Sequence, residues 1–310
     1  MMKRYKVFID GQSGTTGLQV TQRLSQHEDI KILEIASEDR KKPEAKKTLM
    51  KESNVALLCL PDKAVDDSIQ LAAEANTRVI DASSVNRVKD GWVYGLPELS
   101  SEQRNDIKNA RQVANPGCYA TGAILILKPL IASGFLNPAE AINVFGASGY
   151  TGGGNAMVAH YEQSPLPSAF SLYGLTLNHK QIPEIQKWSG LEHRPIFLPS
   201  VVNHDQGMHV IIPIDAIQCK QPTFNILELL SSYYENEALV RVRDDLTQST
   251  FLHIEGLKNS CYCDIYFEQK NDQYLFVSKL DNLGKGASGA AVQNLNIMLG
   301  LPETLGVHLP

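Results

Sequence analysis

The stretch Asn115-Pro116-Gly117-Cys118-Tyr119-Ala120-Thr121-Gly122 has the clearest capacity for chemistry in this 310-residue chain. Pro and Gly impose a tight turn, and the apolar periodic run after them predicts a helix over 118–131 that begins at or near Cys118. A thiol at a helix start feels the positive end of the dipole, which raises its thiolate fraction and its power as a nucleophile. In an apolar setting the same residue would be a small buried hydrophobe, as most free cysteines are. The polar turn beside it favours a reactive thiol.

A nucleophile that makes and breaks bonds to carbon needs a partner to move protons. Of the eight histidines, His179 is the best placed, in a polar, turn-like stretch beside Lys180. His204 and His209 stay open as alternatives, and an ordinary surface or core role is open for any of them. A second glycine-rich stretch, Gly146-Ala147-Ser148-Gly149-Tyr150-Thr151-Gly152-Gly153-Gly154, follows a predicted strand over 142–146. As a loop it could bring its amides, and Ser148 with them, near a substrate or cofactor; a flexible turn would have the same composition. Further on, Asp281-Asn282-Leu283-Gly284-Lys285-Gly286 leads into a predicted helix of small residues over 286–299. Such a helix start suits an anion or a nicotinamide, or simply close packing.

The third candidate is Gly11-Gln12-Ser13-Gly14-Thr15-Thr16-Gly17, between a predicted strand at 5–10 and an amphipathic helix reaching about residue 24. Glycines there permit a tight turn and close approach to a pyrophosphate, whose charge the exposed amides of Ser13, Gly14, Thr15, Thr16 and Gly17 would hold. The spacing is GxxGxxG and not the commoner GxGxxG, but its place after a leading strand is the context a dinucleotide loop requires. About twenty residues on, the second strand runs into Ser37-Glu38-Asp39-Arg40-Lys41-Lys42. Ser37, Arg40 and Lys41 suit the 2′-phosphate of NADP, although Glu38 and Asp39 lie among them and a solvated charged turn would look similar.

The elements that must position these residues fall into two textures. In the first third, predicted strands at 5–10, 30–36, 55–60 and 78–82 alternate with helical segments such as 63–75, the pattern of a parallel, doubly wound α/β sheet. Beyond Gly117 come longer strand candidates, 208–214, 264–269 and 273–280, the last two flanking a Lys270-Asn271-Asp272 turn. These imply a second, α+β domain. Neither an internal repeat nor a low-complexity linker interrupts the chain.

Bulk composition narrows the function classes. Hydrophobic residues make up 43% and charged residues 20%, with a net charge of -5 and no basic stripe, which argues against nucleic acid and anionic membranes as partners. The N-terminal Met1-Met2-Lys3-Arg4-Tyr5-Lys6 leads into an apolar run too short for a signal peptide, and no stretch approaches the ~18 apolar residues of a membrane span. Five cysteines are an odd number, and a reducing cytoplasm fits better than a disulfide framework. Cys261 and Cys263 are one residue apart with no second pair, so no metal site is expected; in a strand-like run over 261–267 they would share one sheet face.

Taken together, GQSGTTG at 11–17, DASSVNR at 81–87, GLPE at 95–98, NPGCYATG at 115–122, GASGYTGGG at 146–154, HKQIPEI at 179–185 and DNLGKGASGAAVQN at 281–294 span nearly the whole length. In that order they resemble the N-acetyl-gamma-glutamyl-phosphate reductases of arginine biosynthesis, in their shorter variety. The resemblance implies a Rossmann-type NADP(H)-binding domain over 1–117, rejoined by a C-terminal segment over 285–310. It also implies a catalytic and dimerisation α+β domain of the semialdehyde-dehydrogenase kind over 118–284, in a homodimer or homotetramer. It makes Cys118 the nucleophile, His179 the acid/base and Arg87 the arginine for the substrate phosphate. Asn282 would lie near the nicotinamide, while Ser148 and Lys180 would contact the small-molecule substrate. The implied reaction is NADPH-dependent reduction of an acyl phosphate to an aldehyde through a cysteine thioester. The family pattern often reads His-x-His where this chain has His179-Lys180-Gln181. Three alternatives stay open: an aspartate-semialdehyde-dehydrogenase-like reductase of another acyl phosphate, a thiol hydrolase, and a non-catalytic dinucleotide sensor.

Overall fold

The computed structural model describes residues 4–221, 225–244 and 251–309. The first three residues of the basic N-terminal stretch and the last residue of the C-terminal segment therefore lie outside the described residues. Two units divide the chain, Met1–Pro116 with Ala287–Pro310, and Gly117–Gly286.

In the first unit, β1 (Tyr5–Asp10), β2 (Ile30–Leu33), β3 (Val55–Leu58), β4 (Arg78–Asp81), β5 (Val93–Tyr94) and β6 (Gln112–Ala114) form one sheet in the order β2-β1-β3-β4-β6-β5. Every pairing is parallel. The strand β3 reads Val-Ala-Leu-Leu and is buried along its length, the continuous apolar run expected when helices cover both faces. Those helices are α1 (Thr15–Ser25), α2 (Pro43–Glu52), α3 (Val65–Glu74) and α4 (Gln103–Asn109). Since β2 lies on one side of β1 and β3 on the other, the strand order reverses at the carboxyl end of β1, where α/β sheets bind ligands. The predicted second strand is shorter than expected: β2 leaves the sheet after Leu33, where its last partner on β1 is Phe8. Helix α2 was not expected, because Pro43-Glu44-Ala45-Lys46-Lys47 shows charge more than apolar periodicity and only Met50 is fully buried.

The second unit carries α5 (Cys118–Ala132), β7 (Asn143–Gly149), α6 (Gly154–Gln163), β8 (Phe170–Leu172), α7 (Ile182–Ser189), β9 (Ile196–Val202), β10 (Met208–Asp215), α8 (Ile226–Tyr233), β11 (Val240–Arg243), β12 (Cys263–Lys270) and β13 (Gln273–Leu280). Its seven strands lie in the order β11-β12-β13-β10-β7-β9-β8. Helix α5 is apolar on nearly all sides and lies on β10 and β13. Gly122 permits that approach, for a Cβ there would come within 2.5 Å of Ser278 Oγ and 2.7 Å of a Val210 methyl. Strand alternation turns the intervening residues to the opposite face. Phe145, Ile196, Pro213 and Leu275 are exposed there, and Leu198 and Ile211 are half-buried.

A π-turn at Gly284–Ser288 leads into α9 (Gly289–Leu299), which packs on α1, α4 and β4 of the first unit. Buried amides fasten it there. Gln293 Nε2 donates to Glu98 Oε1 (2.9 Å), Asn294 Nδ2 donates to Gly95 O (2.8 Å), and Arg23 Nε donates to Ser288 Oγ (3.0 Å).

Candidate active site

Cys118 is the first residue of α5, behind an N-cap Gly117 that has no side chain to satisfy the helix start. The missing cap is supplied from α7. Glu184 Oε1 accepts from Gly117 N at 2.7 Å, and Gln181 Oε1 accepts from Ala120 N at 2.9 Å. Both side chains are buried, at 1% and 5% exposure. Gln181 and Glu184 have the spacing of a capping box, yet Gln181 makes no cap bond to its own helix and reaches α5 instead. With its oxygen committed to Ala120, the carboxamide turns Nε2 towards Cys118 Sγ, 3.9 Å away. On the other side the backbone of Gly286 lies against the cysteine: a Cβ there would sit 2.6 Å from Cys118 Cβ.

His179 stands among aromatic rings, edge-on to Phe197 (centroids 5.0 Å), Tyr173 (5.8 Å) and Tyr119 (6.0 Å). Its Nδ1 accepts from Gln181 N at 3.2 Å, so the neutral ring carries its proton on Nε2. The Tyr173 hydroxyl donates to Tyr119 Oη (3.2 Å), which donates to Ser200 O (2.8 Å). Burial pushes both phenols up, far from ionisation at neutral pH. Cys118, His179, Ser148, Lys180 and Gln181 line one cavity of about 170 Å³, with Met157, Tyr173 and Val201 as its apolar wall. A larger cavity, about 430 Å³, lies between Pro213, Glu268 and Leu275, and no thiol or histidine lines it. Chemistry, and not size, picks out the smaller one.

The remaining cysteines have no such setting. Burial pushes the Cys59 thiol up to about 12, with the nearby Asp81 and Asp10 carboxylates adding to the effect. Burial likewise raises Cys219 to about 11. Cys261 and Cys263 are fully buried, and β12 begins only at Cys263, so the expected strand over 261–267 starts two residues late.

The other sequence candidates fall as follows. Gly146–Gly149 is not loop but the end of β7, and Gly146 is required there because a Cβ would meet the Tyr119 ring at 2.4 Å. The turn begins only at Tyr150. Ser148 Oγ donates to Gly149 O (3.1 Å). Asn282 is 1% exposed; its Oδ1 accepts from Gly207 N (2.8 Å) and its Nδ2 donates to Thr151 Oγ1 (2.9 Å), fastening β10 to that turn. Arg87 belongs to the first unit and is buried, with Nε donating to Asn115 O (2.9 Å) and one terminal nitrogen to Ala82 O (3.1 Å). The DASSVNR turn that presents it is held by Asp81, whose carboxylate accepts from Ser83 N, Ser83 Oγ and Asn86 Nδ2 at 2.7–2.8 Å.

At the carboxyl end of β1, Gly11 has φ +92, and a Cβ on it would lie 2.3 Å from Cys59 O. A Cβ on Gly17 would lie 2.2 Å from Gly11 O. The turn is therefore built for glycine at both ends. Helix α1 starts behind Gly14 with no side-chain cap and no acidic residue in its first turn, which leaves the amides of Thr15, Thr16 and Gly17 for an anion. That cradle fits a dinucleotide pyrophosphate. Past β2, Ser37, Arg40 and Lys41 are exposed, and Asp39 is paired with Lys42 at 2.7 Å.

Sequence reasoning missed Gln181, Glu184, Tyr119 and Tyr173 as parts of the site. The i, i+3 polar pair at a helix start was a usable signal for the first two. Nothing in the sequence announced the tyrosines.

Comparison with known proteins bears on both units. Residues 6–110 match the semialdehyde dehydrogenase NAD binding domain, and residues 118–282 match the semialdehyde dehydrogenase dimerisation domain. An N-acetyl-gamma-glutamyl-phosphate reductase of Trichormus variabilis is 41% identical, covering 99% of this chain and 100% of the relative. The N-acetyl-gamma-glutamyl-phosphate reductase 2 of Pseudomonas putida is 40% identical, covering 97% and 98%. Among solved structures, aspartate semialdehyde dehydrogenase II of Vibrio cholerae superposes with a TM-score of 0.74 at 16% identity, covering 96% of this chain and 99% of that one. The Candida albicans aspartate semialdehyde dehydrogenase with NADP gives 0.68 at 14%, covering 95% and 98%. These structures share the fold.

Proposed function

Because the chain belongs to the N-acetyl-gamma-glutamyl-phosphate reductase family of semialdehyde dehydrogenases, we propose that it reduces N-acetyl-L-glutamyl 5-phosphate to N-acetyl-L-glutamate 5-semialdehyde and phosphate. The observation that carries this reading is Cys118 at a helix start whose cap is furnished by another helix, in one cavity with His179. A thiol hydrolase would have no use for the Gly11–Gly17 cradle, and a sensor would have no use for the thiol.

Cys118 attacks the acyl carbon, and phosphate leaves with the electron pair of the broken C–O bond, giving a thioester on Sγ. The Gly11–Gly17 turn would hold NADPH by its pyrophosphate, with Ser37, Arg40 and Lys41 for the 2′-phosphate, and the group would supply the hydride for the thioester. His179 donates its Nε2 proton to the oxyanion as that charge forms, and takes it back as the C–S bond breaks and the thiolate returns. Lys180, at the cavity wall, offers a charge partner for the substrate carboxylate, and the Met157–Tyr173–Val201 wall suits the acetyl methyl. Arg87 is the guanidinium assigned to the leaving phosphate, and Ser148 is a further polar contact. Asn282 is the residue assigned to the nicotinamide, and its contacts with Gly207 N and Thr151 Oγ1 fix its carboxamide.

The uncovered face of the seven-stranded sheet, with Phe145, Ile196 and Leu275 exposed, is the surface on which a second copy would dock, in a homodimer or a tetramer built from it. None of the five cysteines forms a disulfide, which suits a reducing cytoplasm. Among the described residues no helix is long and apolar enough to cross a membrane.

The deciding test runs the reaction in reverse: NADP+ reduction by N-acetyl-L-glutamate 5-semialdehyde, with and without phosphate and with and without prior thiol alkylation. Turnover that needs phosphate and is lost on alkylation supports the substrate, the reaction and the thiol together. Equal or faster turnover with aspartate semialdehyde would move the assignment to the neighbouring activity.

A further inference from the structure

We propose that Gln181 is the residue that holds the sulfur of Cys118 in its reactive, negatively charged form, as a neutral donor in a position where a titrating side chain would make reactivity depend on pH. The inference rests on Cys118 being the nucleophile of the proposed reaction. Two hydrogen bonds and burial hold Gln181. Its Oε1 accepts from Ala120 N (2.9 Å), its backbone N donates to His179 Nδ1 (3.2 Å), and it is 5% exposed. An amide whose oxygen is tied to an N–H has only its NH2 to present on the other side, so the identity of the atom 3.9 Å from Sγ is fixed by the network. That NH2 cannot donate its proton away. It therefore stabilises charge on sulfur, and on an oxygen bonded to the carbon attached there, without taking part in proton transfer.

The same residue links the two parts of the site. Through its side chain it touches the reacting sulfur, and through its backbone it sets the His179 tautomer with the proton on Nε2. The division of labour follows: Gln181 holds charge and His179 moves the proton. Two titrating groups packed around one thiol would couple, and the reactive form would then exist only in a narrow pH window. The other titratable groups around the thiol are His179 and Lys180 in the same cavity, the Tyr119 and Tyr173 phenols, and the Glu184 carboxylate on Gly117 N; Gln181 adds a donor to this set without adding a charge.

The test reads Cys118 directly, without substrate or cofactor. Iodoacetamide alkylation of the Cys118 peptide is followed by mass spectrometry from pH 5 to 10 in the full-length protein, for wild type, Gln181→Glu and Gln181→Met. Glutamate keeps an oxygen for Ala120 N but puts a carboxylate towards sulfur, which opposes the thiolate whatever the amide does; Gln181→Met removes the donor without adding charge, and a purely structural role leaves its midpoint at the wild-type pH. The proposal requires Gln181→Met to react roughly tenfold slower at pH 7 with a midpoint raised by about one pH unit, because the donor to the thiolate is gone. Gln181→Glu should be slower still, and unchanged NADPH binding in both variants is the evidence of a folded chain. An unshifted Gln181→Met midpoint beside a reactive wild-type Cys118 overturns the role of Gln181 and leaves the proposed reaction standing. A wild-type Cys118 no more reactive at pH 7 than a free thiol removes the proposed nucleophile, and the inference with it.

Discussion

Helices α1 and α5 both begin behind a glycine, Gly14 and Gly117, and neither has a capping side chain of its own or an acid in its first turn. Their surroundings then diverge. At α5, Glu184 and Gln181 arrive from α7 and accept from Gly117 N and Ala120 N. At α1 the cap is left open behind a turn in which Gly11 and Gly17 tolerate no Cβ. A helix start is a positive site in either case. Filled by protein acceptors, it becomes a rigid mount for one atom, the Cys118 sulfur; left open, it is a berth for an anion that comes and goes. The two ends of the proposed reaction thus use one backbone device in two ways.

The sharpest way to break this comparison is Cys118→Ser. Removing the mounted atom should lower turnover on the order of a thousandfold or more, while the dissociation constant for NADPH, measured by fluorescence titration, stays within about twofold of wild type. Substantial residual turnover would mean that the mount serves something other than a nucleophile. Gly17→Ala attacks the open end instead. Its Cβ would meet Gly11 O at 2.2 Å and Gln12 Cα at 3.0 Å, both backbone, so the turn must deform. NADPH affinity should fall by about 5- to 150-fold, as expected for overpacking worth about 1–3 kcal/mol. Alkylation of Cys118 should be unaffected. Loss of both properties together would show that the two helix starts do not act separately.

These effects show what could and could not be read from the chain. The turn at Gly11–Gly17 and the helix beginning at Cys118 were legible because glycine, proline and apolar period act locally, within a few residues. The parallel strands β3 and β4 were legible for the same reason, as short apolar runs between helical segments. Strands β8 and β11 were not. They are edge strands of three and four residues, and only their partners β9 and β12 make them strands. Pro199 disguised β9, and the glycines of β7 read as a loop because the Tyr119 ring that demands Gly146 lies 27 residues away in sequence. Gln181 was overlooked for a different reason. A neutral amide carries no signal of reactivity, and its partners Cys118 and Ala120 are 63 and 61 residues away.

Glu184 offers a finer cut at the filled end. Its substitution by Ala leaves the buried Gly117 N–H without its acceptor, which costs about 1–3 kcal/mol of stability. Urea unfolding should show that loss. Turnover should fall by roughly tenfold, since an error of a fraction of an ångström at the Cys118 turn reaches the sulfur directly. Glu184→Gln keeps an oxygen for Gly117 N and should recover most of the stability. If it also recovers turnover, the carboxylate acts as a hydrogen-bond acceptor and its charge is incidental.

The smallest expected effect belongs to the open end, beyond the turn itself. Arg40 and Lys41 are exposed on the segment after β2, so each contributes only a surface-strength interaction with a 2′-phosphate, about 0.5–1 kcal/mol. The double substitution Arg40→Ala, Lys41→Ala should therefore raise the KM for NADPH by about 5- to 30-fold at low salt. It should leave the KM for NADH nearly unchanged, because NADH has no phosphate at that position. The difference between the two proteins should shrink as ionic strength rises through 0.2 M, where the Debye length falls below ~8 Å. Asp39 supplies the internal control: it is paired with Lys42 at 2.7 Å, so Lys42→Ala would unmask its carboxylate and should weaken NADPH as well. An equal loss of NADPH and NADH in the double variant would instead place these cations on the pyrophosphate, and the open helix start of α1 would then not be holding that charge alone.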